Sequence, residues 1–172
     1  MVTIYLAGAI RDTHAEDIQW REFLISRIEH KHALNVSILN PVGNKTYNPS
    51  TREWKMSGIH AGAKEIFAQD LWCVRRADII IANFNSFKDG YPSIGTVMEV
   101  GAAAGIGGKL VYSILDKDSS FGVENTGNFK LHPFLEQSSS AIFPSVDALV
   151  DFLVPHLGML VGTEPRFGGL TV

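Results

Sequence analysis

Between Ser93 and Gly101 the chain reads Ser-Ile-Gly-Thr-Val-Met-Glu-Val-Gly, a small-residue turn that sets one carboxylate, Glu99, on the first turn of a helix. The turn follows a nearly continuous apolar run from Ala77 to Phe84, as expected of a parallel strand covered on both faces. It precedes Ala102-Ala103-Ala104, which are strong helix formers. Strand, glycine-bearing turn and helix N-terminus in that order make a crevice at the carboxyl end of a sheet, where open α/β folds bind ligands. Glu99 would look into that crevice. Thr96-Val97-Met98-Glu99 is equally a capping box, in which the Thr96 hydroxyl and the Glu99 carboxylate close the free N–H groups of the helix. On spacing alone the cap takes precedence, and the turn alone accounts for Gly95.

The elements that would position this carboxylate alternate along the chain. Val2 to Ala7 reads as a buried strand ending at Gly8, followed by the loop Ala9-Ile10-Arg11-Asp12. Thr13 with Glu16 signals a helix to about His30, with Ile18, Phe23, Leu24 and Ile28 inward, and Val36 to Leu39 makes a second strand closed by Asn40-Pro41. Strand, helix, strand is a parallel unit. Residues 42–62 are polar without a clear period and read as a long loop or partly ordered lid. A helix from Ala63 to Arg76, the strand from Ala77, the Glu99 helix and a strand from Lys109 to Leu115 follow. Residues 116–140 are polar and irregular, Ala141 to Phe143 is a short last strand, and Ser145 caps a helix to about His156. The expectation is one doubly wound α/β domain, Rossmann-like or flavodoxin-like, with about five parallel strands over residues 1–156 and a loosely held tail over 157–172.

Composition narrows the function classes. Fifteen basic against eighteen acidic side chains give a formal charge of -3, so no field attracts a polyanion and nucleic acid is not an expected partner. The single cysteine, Cys73, rules out an internal disulfide framework and a cysteine-rich zinc site. No apolar run is long enough to span a membrane and no export leader is recognisable, so a cytoplasmic location is expected. No Gly-x-Gly-x-x-Gly follows the first strand and no Walker lysine motif occurs.

Three further segments complete a pattern: Ile4-Tyr5-Leu6-Ala7-Gly8-Ala9-Ile10, Asp70 ahead of Ala77 to Ala82, and Gly95-Thr96-x-x-Glu99-x-Gly101 followed by Gly108-Lys109. In this order and spacing they resemble the nucleoside 2-deoxyribosyltransferase family and the related nucleoside 5'-monophosphate N-glycosidases, over roughly residues 2 to 155. The resemblance implies cleavage of an N-glycosidic bond with Glu99 as nucleophile, by the logic of a retaining glycosidase. It implies that Asp70 contacts the base and helps protonate it as it leaves, and that Tyr5 orients the nucleophile through its hydroxyl. It further implies nucleosides, nucleotides and free nucleobases as small-molecule partners, no cofactor or metal, and a homo-oligomer with sites shared between subunits. Read without the resemblance, Asp70 is a solvated helix residue and Tyr5 a core tyrosine.

Substrate contacts are expected from Gly8, Ala9, Ile10, Arg11, Ser93, Gly95, Thr96 and His132. Many deoxyribosyltransferases carry aspartate where this chain has Ser93, whereas the monophosphate hydrolases carry serine there. A phosphate is repelled by the first and accepts a hydrogen bond from the second, so Ser93 with Arg11 tilts the reading toward a 5'-phosphate. One departure opposes this, and a second bears on sugar recognition from the neighbouring subunit's side. The hydrolases' Gly-Ser-Ile-Arg loop is Gly8-Ala9-Ile10-Arg11 here, and the family's Asn-x-Met segment, lent to the neighbouring subunit, is Leu135-Glu136-Gln137, with Ser138, Ser139 and Ser140 as possible substitutes. His132 beside Pro133 could donate into the site, although a surface histidine is the plainer reading. Trp54 could stack on a base from the long loop, and Trp72 reads as core. Two other classes stay open: a nucleotide-binding sensor without turnover, and a lysine-decarboxylase-like phosphoribohydrolase, whose glycine pair is replaced by Tyr91-Pro92-Ser93.

Overall fold

A computed structural model describes residues 1–10, 16–29, 35–42, 45–48, 53–56, 59–60, 62–85, 93–116 and 131–162. In chain order the elements are β1 (Val2–Gly8), α1 (Glu16–Glu29), β2 (Val36–Leu39), β3 (Lys45–Asn48), β4 (Glu53–Met56) and β5 (Ile59–His60). They continue with α2 (Ala63–Arg76), β6 (Ile79–Asn83), α3 (Ile94–Ile106), β7 (Leu110–Ile114), α4 (Pro133–Ser138), β8 (Ala141–Phe143) and α5 (Val146–Gly162). Five of the strands form an all-parallel sheet in the order β2-β1-β6-β7-β8.

Side chains on a strand point alternately to opposite faces, and this period divides the core into two layers. Tyr5 and Ala7 of β1, Ile80 and Ala82 of β6 and Val111 of β7 join Cys73, Val74, Val100, Ala103 and Leu135 from α2, α3 and α4. Ile4, Leu6, Ile79, Ile81, Tyr112 and Ile114 point the other way and meet Trp20, Leu24 and Ile28 of α1 and Leu149, Leu153 and Leu157 of α5. The chain leaves β1 toward β2 on one side and resumes with β6 on the other, so strand order reverses at β1. The crevice at the carboxyl ends of β1 and β6 is therefore the topological switch point, where folds of this class hold ligands.

Several elements differ from expectation. Within residues 42–62 the structure forms a separate antiparallel sheet, β3-β4-β5, which the short strands and mixed polarity conceal. Within 116–140 it forms α4, with Pro133 in the first turn where the missing N–H costs nothing. Helix α5 runs past His156 to Gly162, because the apolar spacing Leu149, Leu153, Leu157 continues and buries Leu157. On α1 the buried positions are Asp17, Trp20, Arg21, Leu24 and Ile28, whereas Phe23 is partly exposed. Trp72 is 53% exposed, so it is not core. Its ring lies under the Arg76 guanidinium instead.

Candidate active site

Tyr5 occupies the middle of β1 on the face covered by α2 and α3, which sends its ring toward the start of α3. Its hydroxyl donates to Oε1 of Glu99 at 2.6 Å, with both residues buried. That length is typical of an O–H···O⁻ bond assisted by charge. Burial, the negative charges of Glu99 and Asp70 and this hydrogen bond push the Tyr5 hydroxyl far above the ordinary tyrosine range. It therefore keeps its proton and serves Glu99 as a donor.

The helix end is closed by a residue other than Glu99. Ser93 is the N-cap of α3, and its Oγ accepts from the Thr96 amide at 3.2 Å and from the Thr96 hydroxyl at 2.9 Å. This corrects the capping-box expectation. With Ile94 as the first helical residue, Gly95 lies within the helix and Glu99 falls in its second turn, past the free N–H groups. The carboxylate is thereby available to Tyr5 and to the crevice.

The crevice is a cleft of about 180 Å³ lined by Gly8 and Ile10 after β1, Pro41 after β2, Ile66 and Asp70 on α2, and Ser93, Gly95, Thr96 and Glu99 on α3. Ile66 and Asp70 stand one turn apart on a helix face that continues inward to Cys73 and Val74. The result is a pocket with two carboxylates, a hydroxyl pair at a helix end and an apolar wall. Such a site suits a planar apolar group beside a polar, reactive one.

Most of the residues singled out in the sequence meet here. Gly8, Ile10, Asp70, Ser93, Gly95, Thr96 and Glu99 line the cleft, and Tyr5 supports Glu99 from behind. Ala9 is buried, with its carbonyl turned to Arg21. Arg11 and the Tyr91-Pro92 pair lie outside the described residues, as does the side chain of Trp54 in β4. His132 does not line the cleft: it is exposed, its Nδ1 accepts from the Phe134 amide to cap α4, and its ring stacks on Phe134. Ser139 and Ser140 are engaged in the fold, Ser139 with Ser113 and the Leu135 carbonyl, and Ser140 with the Val111 amide. The sequence reading missed Pro41, Ile66 and Arg21. Arg21 carried a signal, being a charged residue in register with the inward positions Asp17, Leu24 and Ile28 of α1.

No cluster of side chains suited to a metal ion occurs among the described residues. Nor is any described helix long and apolar enough to cross a membrane.

The family model for nucleoside 2-deoxyribosyltransferase matches residues 4–131, well over half of the chain. The chain belongs to the nucleoside 2-deoxyribosyltransferase family. Membership assigns it general glycosyl transfer or hydrolysis on nucleoside-type compounds. Its fold is similar to that of a 2-deoxyribosyltransferase from Leishmania mexicana, with a TM-score of 0.62 at 21% identity over 91% of this chain and 99% of the other. It is also similar to a CMP N-glycosidase from Clostridium botulinum, with a TM-score of 0.53 at 17% identity over 90% and 98% of the two chains. No curated protein sequence matches the chain.

Proposed function

We propose that this nucleoside 2-deoxyribosyltransferase family member cleaves the N-glycosidic bond of a (2'-deoxy)nucleoside or its 5'-monophosphate through a glycosyl-enzyme on Glu99. The observation that carries the reading is the Tyr5–Glu99 hydrogen bond, which aims a carboxylate released from helix capping into the cleft. A carboxylate oxygen forms a bond to the anomeric carbon as the carbon–nitrogen bond breaks through an oxocarbenium-like transition state. The bonding pair leaves with the base nitrogen, and Asp70 at the cleft wall supplies or relays the proton that the base takes up. Attack on the glycosyl-enzyme by a second base regenerates Glu99 and gives a new nucleoside, whereas attack by water gives the free sugar.

One observation favours a 5'-monophosphate. Both acceptor positions of the Ser93 hydroxyl are taken by Thr96, so its own proton is left to donate. A phosphate oxygen accepts such a bond, and an aspartate in this place would repel it.

The test is product analysis by chromatography with each deoxynucleoside and nucleoside 5'-monophosphate, with and without a second free base, beside Glu99→Ala. Free base released from monophosphates alone identifies a nucleotide hydrolase, and a new nucleoside formed with added base identifies a transferase. Binding without any Glu99-dependent product would leave the sensor reading.

A further inference from the structure

Arg21 is among the largest fully buried side chains of the described residues, and arginine rarely occupies such a place without a strong reason. From α1 it reaches beneath the loop that follows β1. Its Nη2 donates to the Gly8 carbonyl at 2.8 Å and its Nη1 to the Ala9 carbonyl at 3.2 Å and to the Asp17 carbonyl. The guanidinium also lies 4.6 Å from the centre of the Trp20 ring. Its Nε is buried with no hydrogen-bond partner among the described residues, so its desolvation is only partly offset. Burial lowers the group to about 10, opposed by the negative charges of Glu99, Asp17 and Asp70, and it stays protonated at neutral pH.

Peptide planarity converts these bonds into a property of the cleft. In a trans peptide the C=O of one residue and the N–H of the next point in opposite directions, and no described peptide is cis. With the Gly8 and Ala9 carbonyls drawn toward Arg21, the N–H groups of Ala9 and Ile10 face away from it. Gly8 and Ile10 line the cleft, and the side of Gly8 that its Cβ would occupy is filled by Arg21 and Trp20, each 3.0 Å away. Successive amides of this kind, with a cation behind them, favour acceptor oxygens and anions. The same cation and the Glu99 carboxylate attract one another.

We propose that Arg21 is a positioning residue for the cleft: it turns the first loop's amides toward the sugar and phosphate oxygens of the substrate and holds a fixed positive charge beneath that loop. This rests on the N-glycosidic reading above. The charged and titratable groups of the cluster are Tyr5 on β1, Arg21 and Asp17 on α1, Asp70 and Cys73 on α2 and Glu99 on α3.

The experiment compares wild type, Arg21→Met and Arg21→Lys. The titration of the Glu99 carboxyl is followed by carbon-13 NMR, assigned by its loss in Glu99→Gln, together with kcat and KM for base release. Arg21→Met should move the Glu99 titration upward, since it removes a cation that interacts with that carboxylate. Arg21→Lys keeps a charge and similar volume, so it folds and leaves that titration near wild type. A point charge cannot reproduce the fork, so its kcat/KM should still fall by on the order of 10²-fold. Should Arg21→Met fail to fold, the lysine variant decides: wild-type kcat/KM in it would overturn the proposal. Folded Arg21→Met with an unshifted Glu99 titration would overturn it as well. The titration needs no turnover, so a wild type without Glu99-dependent base release refutes the functional reading and leaves the role of Arg21 still tested.

Discussion

Ser93 and Glu99, six residues apart, divide the start of α3 between them: Ser93 takes both the amide and the hydroxyl proton of Thr96, and Glu99 accepts from Tyr5. A carboxylate held in the cap would spend its lone pairs on backbone amides. Placed one turn deeper, it accepts from Tyr5 and lines the cleft instead.

Tyr5→Phe removes the donor and leaves the ring in the core. A hydrogen bond to a charged group is worth about 1.5–3 kcal/mol, so kcat should fall by roughly 10- to 150-fold with little change in KM. Steady-state kinetics on the substrate identified by product analysis checks this.

The same hydroxyl has a stability signature at alkaline pH. The unfolded chain releases this proton near 10.0, whereas the folded protein retains it well above that value. Stability from Tyr5 is therefore fully present below pH 10 and is lost as pH rises beyond it, by up to about 1.4 kcal/mol per unit. Arg21 works in the opposite sense above about pH 10, since its folded value is depressed, but it is common to both proteins compared. In urea unfolding at pH 8, 10 and 11, the stability of wild type relative to Tyr5→Phe should decline only above pH 10.

Ser93→Asp keeps a good N-cap and changes what the cleft meets. Thermal stability should stay near wild type, because aspartate and serine cap helices comparably. With a carboxylate in place of the donor hydroxyl, kcat/KM for 5'-monophosphates should drop by about tenfold or more relative to unphosphorylated nucleosides. Equal effects on both substrate types would remove Ser93 from phosphate recognition.

Gly95 separates stability from activity. A Cβ there would have the Ser93 Oγ as its nearest neighbour, at 3.8 Å, so the fold has room for it. Alanine suits a helix better than glycine by about 0.5–1 kcal/mol, and Gly95→Ala should fold at least as stably as wild type. Gly95→Leu would project into the cleft and lower kcat/KM by on the order of 10²-fold with its melting temperature preserved.

The layer of α2, α3 and α4 exposes large apolar side chains from every one of its helices: Phe67 and Trp72 from α2, Ile94, Met98 and Ile106 from α3, and Phe134 from α4. Apolar groups exposed together in this way mark association surfaces. Light scattering coupled to gel filtration should find a homo-oligomer, and Trp72→Glu should shift it toward the monomer.

What could be read in the chain beforehand follows physical lines. The parallel sheet was legible because its strands are continuous apolar runs bounded by turn residues, and Tyr5, Asp70 and Glu99 stood out through their spacing within a family pattern. The small sheet β3-β4-β5 was not, since two- and four-residue strands give too few alternations to register as a period. The capping role went to the wrong residue because Thr96–Glu99 and Ser93–Thr96 are both plausible helix starts, and Tyr5, 94 residues from Glu99 in sequence, decides between them only in three dimensions. Arg21 was overlooked because helix periodicity flags apolar residues, and a buried charge breaks that rule.

Strand β1 is hydrogen-bonded along both edges, to β2 and to β6, and it carries Tyr5. Amides in such a strand exchange with solvent only when the whole domain opens, whereas loop segments exchange through local fluctuations. The aim of the Glu99 carboxylate is thus tied to the last part of the protein to come apart. Mild heating or denaturant should loosen the rim of the cleft well before Glu99 loses its alignment, so the Tyr5–Glu99 pair and the fold should disappear in a single cooperative step.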